Sequence, residues 1–368
     1  MIRVGITQGD INGIGYEVIL KTFSDSRMAE ICIPIIYGSS KVAAYHRKAL
    51  NLQPITLYQI KHAKDAAEGK INILNYTEEE IKVDLGKSTP AGGEAAYLSL
   101  EKAVADLKEG LIDVLVTAPI NKHNIQRDDF HFPGHTEYLE ERFGNEEAKS
   151  LMILAKDKLK VALVTGHMPL SEVPKLLTKE RIKEAASRFE DSLKRDFGYQ
   201  KPRIAVLSLN PHAGENGLLG SEEEEIIKPA ISELEEKGML CFGPYPSDGF
   251  FGSDSVARFD GILAMYHDQG LAPFKALAME DGVNFTAGLP VIRTSPAHGT
   301  AYNIAGKGEA SEESFRQAIY TAIDICNCRR VYESAHANPL RKLYVEKGRD
   351  SEGLDLTKEN DDNTPLMN

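Results

Sequence analysis

A chain of 368 residues with 42% hydrophobic content exceeds what one hydrophobic core usually organises, so two lobes with a cleft between them are expected. Lys and Arg total 43 against 55 Asp and Glu, and the net charge of −12 argues against a nucleic-acid or anionic-membrane surface, since both need clustered positive charge. No run approaches the roughly 20 apolar residues of a membrane span, and the opening Met1-Ile-Arg-Val-Gly-Ile-Thr7 enters a strand without a leader pattern, so a cytoplasmic location is expected.

Strand-like and helix-like stretches alternate from the start. Residues 2–7 read as a strand, 15–23 as a helix, 31–37 as a strand and 41–50 as a helix, an order that predicts an α/β fold with a mostly parallel sheet and helices on its faces. Residues 53–90 are less regular and carry Lys and Glu runs, so 71–75 are expected in an exposed excursion before a helix over 93–108. A buried strand ending in a polar loop follows within 112–122. A helix over 179–195 comes next, and Ser221 before Glu222–Glu225 reads as a solvated helix start with a capping serine and an acidic first turn. A helix over 313–333 closes the ordered fold, and the polar composition beyond 338 cannot bury enough apolar area to stay ordered. Cys32, Cys241, Cys326 and Cys328 lack C-x-x-C spacing and read as small buried groups.

Three apolar runs in the middle of the chain each end in a histidine: Leu159-Lys-Val-Ala-Leu-Val-Thr-Gly-His167, Ile204-Ala-Val-Leu-Ser-Leu-Asn-Pro-His212 and Ile262-Leu-Ala-Met-Tyr-His267. Open α/β sheets place ligand groups just past the carboxyl ends of such strands, so His167, His212 and His267 are candidate ligands of one divalent metal with an open, catalytic position. A single histidine is more often a half-buried, backbone-bonded residue; the repetition favours ligands.

Other segments carry polar groups to the same strand ends. Gly9-Asp-Ile-Asn-Gly-Ile-Gly15 opens a helix where backbone amides can approach an anion, although it is not G-x-G-x-x-G. Pro133-Gly-His-Thr-Glu137 sets His135 and Thr136 at a helix start, suiting a phosphate or carboxylate or else an ordinary cap. After His267, Asp268 can hold the second imidazole nitrogen and Lys275 can neutralise an anion, while Arg293 offers a planar fork to a carboxylate or phosphate. The small-residue loop from Ser295 to Gly308, with His298, Gly299 and Thr300, can wrap a cofactor. A metal, cations for an anionic substrate and a cofactor loop suit metal-assisted oxidation of a secondary alcohol, with hydrolysis still open.

These segments resemble the 4-hydroxythreonine-4-phosphate dehydrogenases of pyridoxal 5′-phosphate (vitamin B6) biosynthesis, relatives of the isocitrate and isopropylmalate dehydrogenase fold. The resemblance runs from residue 2 to about 335 and rests on Val116-Thr-Ala-Pro-Ile-Asn-Lys122, Pro133-Gly-His-Thr-Glu-Tyr138, Thr165-Gly-His-Met-Pro-Leu170, Leu209-Asn-Pro-His-Ala-Gly-Glu215, Tyr266-His-Asp-Gln-Gly270 and His298-Gly-Thr-Ala301, in order. It implies metal ligation by His167, His212 and His267, with zinc, cobalt, magnesium or manganese as the ion. It implies that His135, Thr136, Lys275, Asn284 and Arg293 hold a phosphorylated substrate. It further implies a homodimer with active sites completed across the interface, and NAD- or NADP-dependent oxidation of 4-phosphooxy-L-threonine followed by decarboxylation to 3-amino-2-oxopropyl phosphate. Asp248 and Asp268 are candidates for the general base, each equally readable as a holder of a ligand histidine.

On this reading residues 1–125 with 290–337 form a first α/β lobe carrying the cofactor loop. Residues 126–289 form a second α/β lobe with the metal ligands and dimer contacts, and 338–368 a polar tail. Ile11, Asn12 and Tyr16 depart from the family's usual first loop, Asn303 stands where an aspartate is common, and the segment 60–86 reads as a surface addition. Three rivals remain: a paralogous dehydrogenase of 4-phosphoerythronate or 4-phosphothreonate, a two-lobed solute-binding protein, and a metal-dependent hydrolase.

Overall fold

The β-branched runs form strands in the computed structural model, which describes residues 1–77, 79–145 and 148–339. The strands are β1 (Arg3–Thr7), β2 (Ile33–Gly38), β3 (Leu57–Ile60), β4 (Ile71–Asn75), β5 (Val114–Thr117), β6 (Leu151–Lys156), β7 (Leu159–Leu163), β8 (Arg203–Leu207), β9 (Leu240–Tyr245), β10 (Gly261–Ala264), β11 (Val283–Ala287) and β12 (Arg293–Pro296). They make one sheet in the order β3-β4-β2-β1-β5-β12-β11-β6-β7-β10-β8-β9. Pairing is parallel except around β11 and β6, where β12–β11, β11–β6 and β6–β7 are antiparallel. Strands β2, β5 and β10 are buried along their whole length, as expected when helices cover both faces of a sheet. Residues 1–332 make one compact unit. The polar tail expected after 338 falls, from residue 340 on, outside the described residues.

Two helices begin and end where the sequence places them, Gly15–Phe23 and Lys179–Arg195. The helix expected over 93–108 starts earlier, as Pro90–Lys108, because the Thr89 hydroxyl accepts from Gly92 N and Pro90 fills the first turn. The exposed excursion at 71–75 is not observed. Residues 71–75 form β4, paired on both sides with β2 and β3, with Ile73 and Leu74 buried and Asn72 Nδ2 donating to Pro34 O at 3.1 Å. The Lys and Glu runs that flank the strand hide it in the sequence.

Nor is 60–86 a surface addition. Besides β4, Ile81 and Val83 pack on the main core, and Asp84 N and Gly86 N donate to the Asn12 side chain and backbone at 2.7 and 2.8 Å. The solvated start expected at Ser221 is also corrected: Glu223 is fully buried, and one carboxylate oxygen accepts from Leu209 N and Asn210 N, both at 2.8 Å. That carboxylate ties down the segment leading to His212.

The strands that precede the three histidines are neighbours, β7-β10-β8, and run parallel. Their carboxyl ends therefore open on one edge of the sheet.

Candidate active site

A cleft of ≈ 260 Å³ lies over the carboxyl ends of β5, β7 and β10. One wall gathers buried hydrogen-bond donors. Arg293, on β12 and only 4% exposed, donates through Nε and Nη2 to Thr117 Oγ1 at 3.0 and 2.7 Å, through Nη1 to Thr286 Oγ1 at 3.2 Å, and through Nη2 to His135 Nδ1 at 3.0 Å. All of these partners are neutral. Burial strips the guanidinium of water and pulls its pKa down to about 9, with Glu137 opposing.

His135 opens the helix His135–Phe143. Burial, and then the charges of Arg293 and Lys122, hold its pKa well below the usual value, so the imidazole is neutral. Because Nδ1 accepts from Arg293, the proton is assigned to Nε2, which is buried and has no partner among the described residues. Asn284 Oδ1, on β11, is likewise buried without a partner. Thr136 and Lys275 complete this wall, the hydroxyl 3.5 Å from Thr286 Oγ1 and the lysine on the helix His267–Leu277. A buried cation, an orphaned N–H and an orphaned carbonyl at one wall are groups left for a polar, anionic ligand to satisfy.

The facing wall holds two of the three histidines. Thr165 donates through N and Oγ1 to Met265 O at 3.2 and 2.6 Å, pinning the ends of β7 and β10 two residues before His167 and His267. Their rings consequently lie 5.4 Å apart, centroid to centroid. Each ring turns Nδ1 to a carboxylate, His167 to Glu137 Oε1 at 3.5 Å and His267 to Asp268 Oδ1 at 2.6 Å. That orientation turns Nε2 of both rings away from the carboxylates, the arrangement in which carboxylates support metal-binding imidazoles. Glu137 is lowered from its ordinary pKa chiefly by its hydrogen bond to His167. The donor set therefore fits a divalent cation, although among the described residues no three His, Cys, Asp or Glu side chains converge within one chain.

His212 and Asp248 stand outside this cleft in the single chain. His212 follows β8 on an exposed turn in which His212, Ala213, Gly214, Glu215 and Asn216 all take positive φ, from 44° to 77°. Asp248 is exposed on the helix Ser247–Phe251, one strand further toward the sheet edge. Of the three residues expected to hold a cofactor, His298 and Gly299 line the cleft. His298 Nδ1 faces Gly299 O at 3.1 Å, its buried Nε2 lacks a partner, and burial lowers its pKa. Thr300 is engaged structurally: its carbonyl accepts from Ile14 N at 3.1 Å, and a Cβ at Gly13 would stand 2.7 Å from that oxygen.

Residues 30–322 match the family described as pyridoxal phosphate biosynthetic protein PdxA. The chain belongs to the PdxA family. It is 62% identical over 361 residues to a 4-hydroxythreonine-4-phosphate dehydrogenase of Bacteroides thetaiotaomicron, covering 98% of this chain and 99% of that protein. A second such dehydrogenase, from a Sulfurihydrogenibium species, is 40% identical over 90% of this chain and all of its own length. The crystal structure of a 4-hydroxythreonine-4-phosphate dehydrogenase from Klebsiella pneumoniae superposes with a TM-score of 0.76 at 35% identity, covering 88% of this chain and 98% of that one.

In this PdxA chain the departures at residues 11, 12 and 16 build a buried support rather than an anion cradle. The amides of Asp10, Asn12, Gly13 and Ile14 are all taken by acceptors within the protein. Asn12 Nδ2 bonds Thr89 Oγ1 at 2.8 Å, Ile11 O lies 2.8 Å from His46 Nε2, and Tyr16 stacks on His46 and bonds Gln8 at 2.7 Å. Sequence reasoning gave no role to Thr117, Lys122 and Glu137, cleft residues that all stand inside quoted motifs. It also missed Thr286, a strand threonine with no local signal, which supports Arg293 from behind the cleft lining.

Proposed function

We propose that this PdxA chain oxidises 4-hydroxythreonine 4-phosphate at its C3 hydroxyl, using NAD or NADP, and then decarboxylates it to 3-amino-2-oxopropyl phosphate. The observation that carries this reading is the buried Arg293 guanidinium, surrounded by neutral partners and joined by the free N–H of His135. A desolvated, unpaired cation is costly until an anion arrives, so the wall discriminates for a phosphate or carboxylate.

Arg293, His135, Thr136 and Asn284 bind and orient the anionic substrate, with Lys275 adding charge. His167 and His267 are the ligands of a divalent cation (zinc, cobalt, magnesium or manganese), with His212 supplied by a second copy of the chain. When bound, the cation supplies Lewis-acid polarisation at the C3 oxygen and a nicotinamide at the 298–300 loop supplies the hydride acceptor. C3 loses a hydride and its hydroxyl a proton; the C1–C2 bond then breaks, CO2 leaves, and the electron pair forms an enolate that is protonated at C2. Asp268 holds the His267 ring and serves as a positioning group, and Asp248 joins from the second copy as the base.

A homodimer is supported by the surface beside His212. Leu218 and Leu219 are 78% and 42% exposed, apolar area that a second copy would cover. We read the strands of 1–117 with β12 and those of 151–287 as the two lobes. Among the described residues no helix is long and apolar enough to cross a membrane.

The test is reduction of NAD or NADP by purified protein with a divalent metal, followed by the absorbance of reduced nicotinamide. Reduction with 4-hydroxythreonine 4-phosphate, abolished by chelator and by His212→Ala, is the expected result. Reduction only with 4-phosphoerythronate or 4-phosphothreonate would move the protein to a paralogous dehydrogenase, and none with any of them would overturn the reading.

A further inference from the structure

The two nitrogens of His167 face opposite kinds of neighbour. Glu137 Oε1 is 3.5 Å from Nδ1, and Lys122 Nζ is 3.5 Å from Nε2. With the Nδ1 proton turned to the carboxylate, Nε2 carries the lone pair. An ammonium is all donor, so it occupies the approach that a metal cation needs. Lys122 sits on the polar loop after β5 and makes no direct ion pair among the described residues, its charge reaching the Glu137 carboxylate only at longer range. The same cleft carries the anion-binding wall of Arg293, His135 and Lys275.

We propose that Lys122 is an electrostatic gate on the cation site. Without substrate its ammonium rests against His167 Nε2 and repels a divalent cation. An anionic substrate seated on the Arg293 wall draws the ammonium to its own negative charge, releasing Nε2. Cation and substrate therefore load together, and the coupling is reciprocal. The inference rests on the reading of His167 as a cation ligand given above, and it adds the order in which the site fills.

Calorimetric titration of the full-length protein with Co(II), in the absence of nicotinamide so that nothing turns over, reads the gate directly. Lys122→Met is expected to bind Co(II) about tenfold or more tightly than wild type when no substrate is present. Addition of 4-hydroxythreonine 4-phosphate should raise the wild-type affinity by a larger factor than that of Lys122→Met, while Lys122→Arg retains the wild-type coupling. Thermal melts show whether each variant is folded. Equal Co(II) affinity of folded Lys122→Met and wild type without substrate would overturn the gate and leave the metal centre standing. Failure of Co(II) to bind wild type with or without substrate would instead overturn the cation site itself, and the gate with it.

Discussion

Arg293 Nη2 donates to His135 Nδ1 across 3.0 Å, so a buried cation sets the tautomer of a neutral imidazole that comes from the other half of the sheet sequence. Arg293→Lys removes the fork that bridges Thr117, Thr286 and His135 at once, and an ammonium cannot span these partners. kcat/KM for the phosphorylated substrate is expected to fall roughly 100-fold, mostly through KM, as the loss of a charge-assisted contact to a buried anion requires. Initial-rate kinetics decide it; an unchanged KM would remove Arg293 from the substrate wall.

The same guanidinium predicts an alkaline limit for the enzyme: burial pulls its pKa down to about 9, so the charged form expected to bind the anion should be lost as pH rises through that value. kcat/KM, which reports the free enzyme, should decline above about pH 9. A profile of Arg293→Lys beside wild type assigns the limb, because the limb should shift with the substitution.

His46 makes stability sensitive on the acid side. Burial lowers its pKa from 6.5 to about 4, so the folded state resists protonation while the unfolded chain accepts it. The neutral ring's contribution is whole above pH 6.5 and is lost as pH falls toward about 4, amounting to about 3 kcal/mol at the end of that window. His46→Gln keeps a donor for Ile11 O without a titrating ring. Urea midpoints measured from pH 7 to 4 should therefore fall further for wild type than for the variant.

Glu223 is the anchor of the His212 turn. Glu223→Ala strands the half-buried amides of Leu209 and Asn210, at a cost of about 2 kcal/mol, whereas Glu223→Gln keeps one acceptor oxygen. Thermal melts should show the alanine variant clearly destabilised and the glutamine variant close to wild type. Parallel melting of the two would mean the amides find other partners.

If His212 acts in the site of a second copy, inactive His167→Ala and His212→Ala proteins should complement each other. Random reassociation leaves one intact site in each mixed dimer, so about a quarter of wild-type activity should return after joint refolding. No recovery would place all three ligands within one chain.

The motifs and strand runs were legible because their causes are local. β-branched runs such as Val114–Thr117 declare buried strands, and three of them ending in histidine announced a shared edge that the order β7-β10-β8 supplies. Asp268 was readable as a holder of His267 from its adjacency alone, and the two bond at 2.6 Å.

Burial and partnership were decided only by tertiary structure. Nothing local tells which glutamate of Glu222–Glu225 is taken out of water, and Glu223 is buried because the Leu209–Asn210 amides meet it there. Likewise β4 enters the sheet through pairing with β2 and β3, against its polar flanks. Residue types and their spacing along strands and helices follow from short-range preference, so the sequence by itself determined the α/β class and the candidate chemistry. Which charges are desolvated, and which protons and lone pairs are left free, depends on atoms as far apart in the chain as Arg293 and His135, 158 residues. The fold alone brings those atoms together and takes their charge out of water.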